Sequence, residues 1–141
     1  MIFMNQIRMK LPRSADSRKG AAVIEFAIII PVFMLLVLGT IETCNMIFLQ
    51  QSLEIAAYEA ARVTLIPSAD TADVNTAATQ ILVPRRVNNA TIAVTPVNFR
   101  TAAYGTFIKV EVSAPCANNS VFPLRFYGSR TLKGTVEMMM E

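Results

Sequence analysis

The pattern of apolar positions divides the chain into a long helical part and a shorter alternating part. Residues 21–41 are apolar except for one charge, Glu25, and small or hydroxyl side chains. Such a stretch is long enough to cross about 30 Å of hydrocarbon as a helix. Residues 42–66 contain neither glycine nor proline, and Pro67 follows them. The sequence therefore predicts one continuous helix over residues 21–66.

The second half of this helix is predicted to be an amphipathic stem. At 100° per residue one face is apolar and rich in alanine, and the opposite face is polar. The apolar face carries Leu49, Leu53, Ala56, Ala60 and Val63, and the polar face carries Gln51, Glu54, Tyr58 and Arg62. We expect the alanine-lined face to pack against the rest of the chain, and we interpret Glu59 and Arg62 as a solvated ion pair.

Residues 67–141 combine a short helical pattern with three alternating ones. Apolar residues recur at helical spacing between Val74 and Leu82, with Ser68 or Asp70 available as the N-cap and Pro84 as the stop. Segments 92–96, 108–112 and 131–138 alternate apolar with polar or small residues, which predicts half-buried antiparallel strands. With the stem covering the apolar face of this sheet, the predicted fold class is α+β.

Charge is distributed unevenly along the chain. Before the apolar stretch lie five basic residues and one acidic residue, Asp16, whereas eight basic residues follow it and nine acidic residues lie within or after it. The basic residues are Arg8, Lys10, Arg13, Arg18 and Lys19. A basic flank is retained in the cytoplasm, so we expect a single-pass membrane protein with its N-terminus in the cytoplasm and its C-terminal region periplasmic or extracellular. The near-neutral remainder offers no basic surface for nucleic acid.

The residue inventory argues against catalysis. Histidine is absent, and no metal-ligand spacing or glycine-rich phosphate loop is present. We expect neither an enzyme nor a bound cofactor or metal. The two cysteines, Cys44 and Cys116, are far apart in sequence and would form a disulfide only if the fold brings them together. Otherwise they are two small apolar side chains.

The N-terminal edge of the apolar stretch indicates which kind of membrane-targeting segment the chain carries. A secretory signal would need small residues at the opposite edge, and none stands there in the required pattern. Gly20 instead ends the basic leader and precedes Ala21, and a helix that opens at Gly20 would expose the following peptide bond to a protease. Glu25 is costly near a membrane unless partnered, and cleavage before Ala21 would create an amine of opposite charge. An uncleaved anchor with Glu25 at the interface remains the alternative.

These residues carry a resemblance to a known family. Gly20, Ala21 and Glu25 resemble the processing signal of type IV prepilins, and Glu25 with Phe26 resembles the tight-adherence, or Flp-type, branch. Residues 49–62 resemble the post-membrane helix of TadE-like proteins, so the likeness extends over about 20–62. Pro31, inside the predicted span, is expected to kink it.

The resemblance implies a minor pilin or pseudopilin of a tight-adherence pilus used for surface attachment. A prepilin peptidase would cleave after Gly20, and Glu25 would face the amine of a neighbouring subunit. The implied partners are this peptidase, other pilin subunits, the inner-membrane assembly platform and membrane lipid. A type II secretion pseudopilin and an uncleaved envelope accessory protein are the alternatives. The predicted organisation is a leader, 1–20, a span, 21–41, a stem, 42–66, and an α+β region, 67–141.

The connection between the second and third predicted strands is long and contains three aromatic residues. Phe122, Phe126 and Tyr127 lie within residues 114–130. Such side chains form either a partner-binding patch or a small satellite core beneath the loop, and we favour the core.

Overall fold

The computed structural model describes residues 15–122 and 127–140, with side chains described from residue 20 onward. Its first element, α1, is a helix over Ala15–Thr64. The predicted long helix is confirmed, but it begins six residues earlier than residue 21 and ends two residues before residue 66. The helix α1 continues through Gly20, so the Gly20–Ala21 bond lies within the helix in this structure. Glycine inside a helix costs only about 1 kcal/mol relative to alanine, and helix-forming residues flank this one.

A short second helix, α2, covers Thr71–Leu82 and is held at its start by a capping box. The Asp70 carboxylate accepts a hydrogen bond from the Asp73 backbone N–H, and the Asp73 carboxylate accepts one from the Asp70 N–H, both at 2.9 Å. The predicted helix is confirmed, and of the two candidate caps the structure selects Asp70. These bonds pair two backbone donors that the first helical turn leaves without intrahelical partners.

Removal of this cap should weaken α2. We expect Asp70→Ala to lower the thermal unfolding midpoint by about a few degrees, because the Asp73 N–H loses its acceptor. Ser68→Ala, two residues earlier, is the matched control and should leave the midpoint unchanged. Circular dichroism of the detergent-solubilised protein checks both variants, and equal midpoints for the two would contradict the assigned cap.

The cap also gives the helix a defined response to acid. The Asp73 backbone N–H lowers the pKa of the Asp70 carboxyl below its ordinary value, since the hydrogen bond favours the charged form. Stability from this bond is therefore present above the carboxyl's unfolded pKa and is lost as pH falls through the lower folded pKa.

Three strands form an antiparallel sheet in the order β1-β2-β3. They are β1 over Thr91–Thr95, β2 over Phe107–Pro115 and β3 over Thr131–Met139. The register pairs Val94 with Val110 and Val110 with Val136. The α+β prediction is thus confirmed, and β2 is longer than the predicted segment 108–112. A 3-10 turn over Phe99–Thr101 and a short helix, α3, over Cys116–Asn119 were not predicted.

The hydrophobic core lies between the stem part of α1 and the inward face of the sheet. It combines buried helix residues such as Leu53 and Ala60 with buried strand residues such as Val110 and Val112. Small side chains on α1 allow the close approach of β3, where Gly134 lies against the backbone of Leu53. The chain divides into two compact units between Val37 and Leu38, and this core belongs wholly to the second.

Candidate functional site

The first unit of α1 presents large apolar side chains directly to its surroundings. From Val23 to Leu36, each large apolar side chain is 39–68% exposed. By length and composition this helix is apolar enough to cross a membrane. Exposed apolar surface of this extent is unfavourable in water, so the segment requires lipid or neighbouring helices around it.

The predicted processing residues lie at the start of this exposed surface. Gly20, Ala21, Glu25 and Phe26 are all exposed. Ala21 and Glu25 are four residues apart in a continuous helix, so they share one face and are one turn apart. In the uncut chain the Ala21 nitrogen is an uncharged amide. Cleavage before Ala21 would place a cationic amine one turn from the Glu25 carboxylate on this face.

Helical geometry also bears on how a protease would reach the Gly20–Ala21 bond. Within α1 this peptide bond belongs to the hydrogen-bonded helix rather than to an extended segment. Among the described residues outside its own stretch of helix, nothing lies within 4 Å of where a Cβ on Gly20 would lie. Access to the bond therefore requires local unwinding, which glycine makes easier because it loses the most conformational freedom in a helix. The remainder of the predicted leader, residues 1–14, lies outside the described residues.

The structure keeps α1 helical through Pro31. Proline removes one helical hydrogen bond and its ring crowds the preceding turn. The kink expected at Pro31 remains a prediction.

A buried carboxylate just beyond the apolar segment was missed by the sequence analysis. Glu42 is 1% exposed. It accepts hydrogen bonds from the Ser120 hydroxyl and, at 3.1 Å, from the Val121 backbone N–H. These contacts tie the connection after α3 to the stem, across 78 residues of sequence. Extending the stem's apolar face backwards from Leu49 by helical spacing would have placed Glu42 on the packing side.

The two cysteines are free thiols in this structure, Cys44 exposed and Cys116 buried. The disulfide that the sequence left open is therefore not formed here. Burial raises the pKa of the Cys116 thiol, because a thiolate is poorly solvated in the protein interior. Cys116 is accordingly a protonated and unreactive side chain at neutral pH.

Two of the three aromatic residues in the long connection are described by the structure, and they differ in their surroundings. Tyr127 packs against the core, and its hydroxyl lies 3.1 Å from that of Thr43 on the stem. Phe122 is half-buried, and Phe126 lies outside the described residues. The favoured interpretation as a satellite core is supported by Tyr127. No cluster of three metal-ligating side chains occurs among the residues that the structure describes.

A family model described as TadE-like protein matches residues 20–62. The matched range begins at the predicted processing glycine and ends on the stem, so the resemblance drawn from the sequence is confirmed over this range. No curated protein matches the chain. No solved structure matches it either.

Proposed function

We propose that the chain is the precursor of a minor pilin or pseudopilin of a tight-adherence pilus system. One observation carries the proposal. The exposed apolar surface of α1, with Glu25 at its start, lies inside the range 20–62 that matches TadE-like proteins. A helix of this kind needs either lipid or neighbouring helices, and a pilus subunit exchanges the first environment for the second.

In the proposed sequence of events, α1 first inserts into the inner membrane with the basic leader on the cytoplasmic side. A prepilin peptidase then cleaves after Gly20 and frees the amine of Ala21. Finally, the assembly platform moves the helix from lipid into a bundle of pilin subunits, where Glu25 pairs with a neighbour's amine. In this proposal the protein is a substrate and a structural component, used in surface attachment, and has no catalytic role.

The fold suits a protein that must stay folded while its helix leaves the membrane. All residues of the hydrophobic core lie beyond Leu38, in the second compact unit. Because that core shares no side chain with the exposed segment before Val37, moving this segment from lipid into a helical bundle exposes no buried core residue.

One observation favours a second candidate, a permanently anchored envelope protein that is never cleaved. The helix α1 runs unbroken from Ala15 through the Gly20–Ala21 bond. A stable helix resists proteolysis because a protease needs an extended backbone. The two candidates differ in whether the membrane-associated protein begins at Met1 or at Ala21.

Mass analysis of the intact N-terminus separates them. The protein is purified from membranes of cells with and without the matching prepilin peptidase. We expect a mature chain beginning at Ala21 only when the peptidase is present. A chain that keeps Met1 in both samples would contradict processing and favour the permanent anchor.

The role of Glu25 has its own test. We expect Glu25→Ala to insert normally but to be depleted severalfold from sheared pili, because the amine of the neighbouring subunit loses its partner. Glu54→Ala, an exposed glutamate on the same helix, is the matched control and should assemble normally. Quantitative immunoblotting of sheared and membrane fractions measures both variants. Equal incorporation of the two would show that the Glu25 carboxylate is dispensable.

A further inference from the structure

A groove runs beside the stem just beyond the predicted span. It has a cavity volume of about 240 Å³ and lies between the stem and the start of β3. Its walls are largely apolar, formed by Met46, Ile47 and Leu132, with the buried Cys116 at its base. Tyr127 and Arg130 also line it. All these residues belong to the second compact unit.

The groove lies at the level expected for lipid headgroups, given the membrane anchor proposed above. Its lining on α1 extends from Thr43 to Gln50. These residues follow residue 41, the end of the predicted span, by about 3 and about 13 Å along the helix axis. The headgroup layer on each side of a bilayer is about 5–8 Å thick. The nearer part of the groove therefore falls within that layer.

The exposed surface of α1 supports this placement. Ile41, Ile47 and Phe48 are 44%, 54% and 48% exposed, so the outer face stays apolar beyond the predicted span. The polar side chains in this stretch are engaged with the folded unit. Glu42 holds Ser120 and Val121, and Asn45 donates to the Asn119 carbonyl at 2.7 Å. An outer face without free polar groups is typical of helix in contact with lipid.

Charge at the groove favours an anion. Arg130 is exposed and is the only charged residue among the groove's described lining residues. Within the part of the chain that the structure describes, Arg130 forms no ion pair. The nearby Lys133, by contrast, bonds Glu111 at 2.7 Å. A second cation, Arg85, lies 5.6 Å from the ring centroid of Phe48, at a similar level on the stem.

We propose that this groove binds one anionic phospholipid of the membrane that α1 crosses. The phosphate lies at Arg130, whose guanidinium is suited to bidentate bonding of phosphate oxygens. The apolar part next to the headgroup packs against Met46, Ile47 and Leu132. Tyr127 lies at the interface, where amphipathic aromatic side chains are enriched. The inference rests on the proposed membrane anchoring and adds a specific lipid site to it.

Native mass spectrometry of the full-length protein tests the site. The protein is released from detergent micelles that contain equal amounts of phosphatidylglycerol and phosphatidylcholine. We expect the wild type to retain one phosphatidylglycerol in preference, and Arg130→Gln to lower this retention about tenfold. Arg62→Gln, at an exposed arginine of α1 outside the groove lining, is the charge control and should retain the lipid.

A second pair of variants tests the apolar wall. Ile47→Gln should also reduce retention, whereas Ile55→Gln, an exposed isoleucine outside the groove lining, should not. Equal retention of both lipids by the wild type, or unchanged retention in Arg130→Gln, would overturn the proposal. So would a lipid-free dimer that Ile47→Gln dissociates, because the groove would then hold a second copy.

Alkaline carbonate extraction of the membranes from which the protein is purified distinguishes failure of the lipid site from failure of the proposed membrane anchor. Release of the wild type by carbonate would count against the membrane anchor itself. Retention in the membrane without lipid preference in the spectrometer would overturn the lipid site alone and leave the anchor standing.

Discussion

Replacement of Gly134 by alanine is expected to destabilise the second compact unit by about 3 kcal/mol or more. A Cβ added at this position would lie 2.5 Å from both the Glu54 nitrogen and the Leu53 oxygen, whereas real Cβ contacts essentially never fall below 3.0 Å. These neighbours are helix backbone atoms, which cannot rotate away as a flexible side chain can. The strand must therefore move off the stem, and overpacking of a close-packed core usually costs about 1–3 kcal/mol even against side chains.

Pulse proteolysis in increasing urea measures this effect, because it reports the unfolding of residues beyond the stem while α1 remains helical in detergent. Gly39→Ala is the matched control. Among the described residues outside the adjoining helix backbone, nothing lies within 4 Å of the Cβ that it would add, and alanine is the better helix former. The control should keep or slightly raise the urea midpoint. A midpoint for Gly134→Ala equal to that of the wild type would show that β3 does not lie against Leu53.

Most of the fold could be predicted because its elements have regular hydrophobic periods. The 3.6-residue period of the stem identified Leu53 and Ala60 as core residues, and both are buried. The two-residue period of the strands identified Val110 and Val136, which the register places opposite each other. Local chemistry supplied two candidate caps, Ser68 and Asp70, of which Asp70 is the cap in the structure. Each of these features depends on residues close together in the sequence.

Features that depend on distant parts of the chain could not be predicted in this way. Gly134 occupies an inward strand position between Leu132 and Val136, and nothing nearby in the sequence shows that a helix backbone lies against it. The Thr43–Tyr127 contact joins residues 84 positions apart. The groove beside the stem exists only because such contacts bring Arg130 next to Ile47. Sequence periodicity identifies the face of an element but not the partner that covers it.

The candidate processing site, in contrast, was identified almost entirely from the sequence. Gly20, Ala21 and Glu25 were identified from residue type and spacing, and the structure adds that they share a continuous, exposed helix. A cleavage site is recognised by another protein, so its evidence lies in the local sequence rather than in packing. The structure adds that α1 is helical on both sides of the Gly20–Ala21 bond, in agreement with the helix propensity of Lys19 and Ala21.

Replacement of Glu42 by leucine is expected to destabilise the second compact unit by about 2 kcal/mol and to release the connection after α3. Leucine has similar bulk but no acceptor, so the Val121 N–H and the Ser120 hydroxyl lose the carboxylate that they bond. Hydrogen bonds to charged groups contribute about 1.5–3 kcal/mol each, and partial access to water at this half-buried loop offsets some of the loss.

Graded substitutions distinguish the hydrogen bonds from the bulk of the side chain. Glu42→Gln keeps an acceptor for the Val121 N–H and should cost less than about 1 kcal/mol. Ser120→Ala should have an intermediate effect, because it removes the hydroxyl that donates to the Glu42 carboxylate but leaves the Val121 N–H bonded to it. Glu54→Leu, at an exposed position on the same helix, controls for the loss of a carboxylate and should change stability by no more than about 0.5 kcal/mol.

Hydrogen exchange at the Val121 amide gives the most direct measurement, because Glu42 is the acceptor of that N–H among the residues that the structure describes. Exchange should accelerate in Glu42→Leu and remain slow in Glu42→Gln and Glu54→Leu. If Glu42→Leu instead left both exchange and the urea midpoint unchanged, the carboxylate would not hold the loop. The connection would then be held to the stem by other contacts, such as the hydrogen bond from the Asn45 side chain to the Asn119 carbonyl.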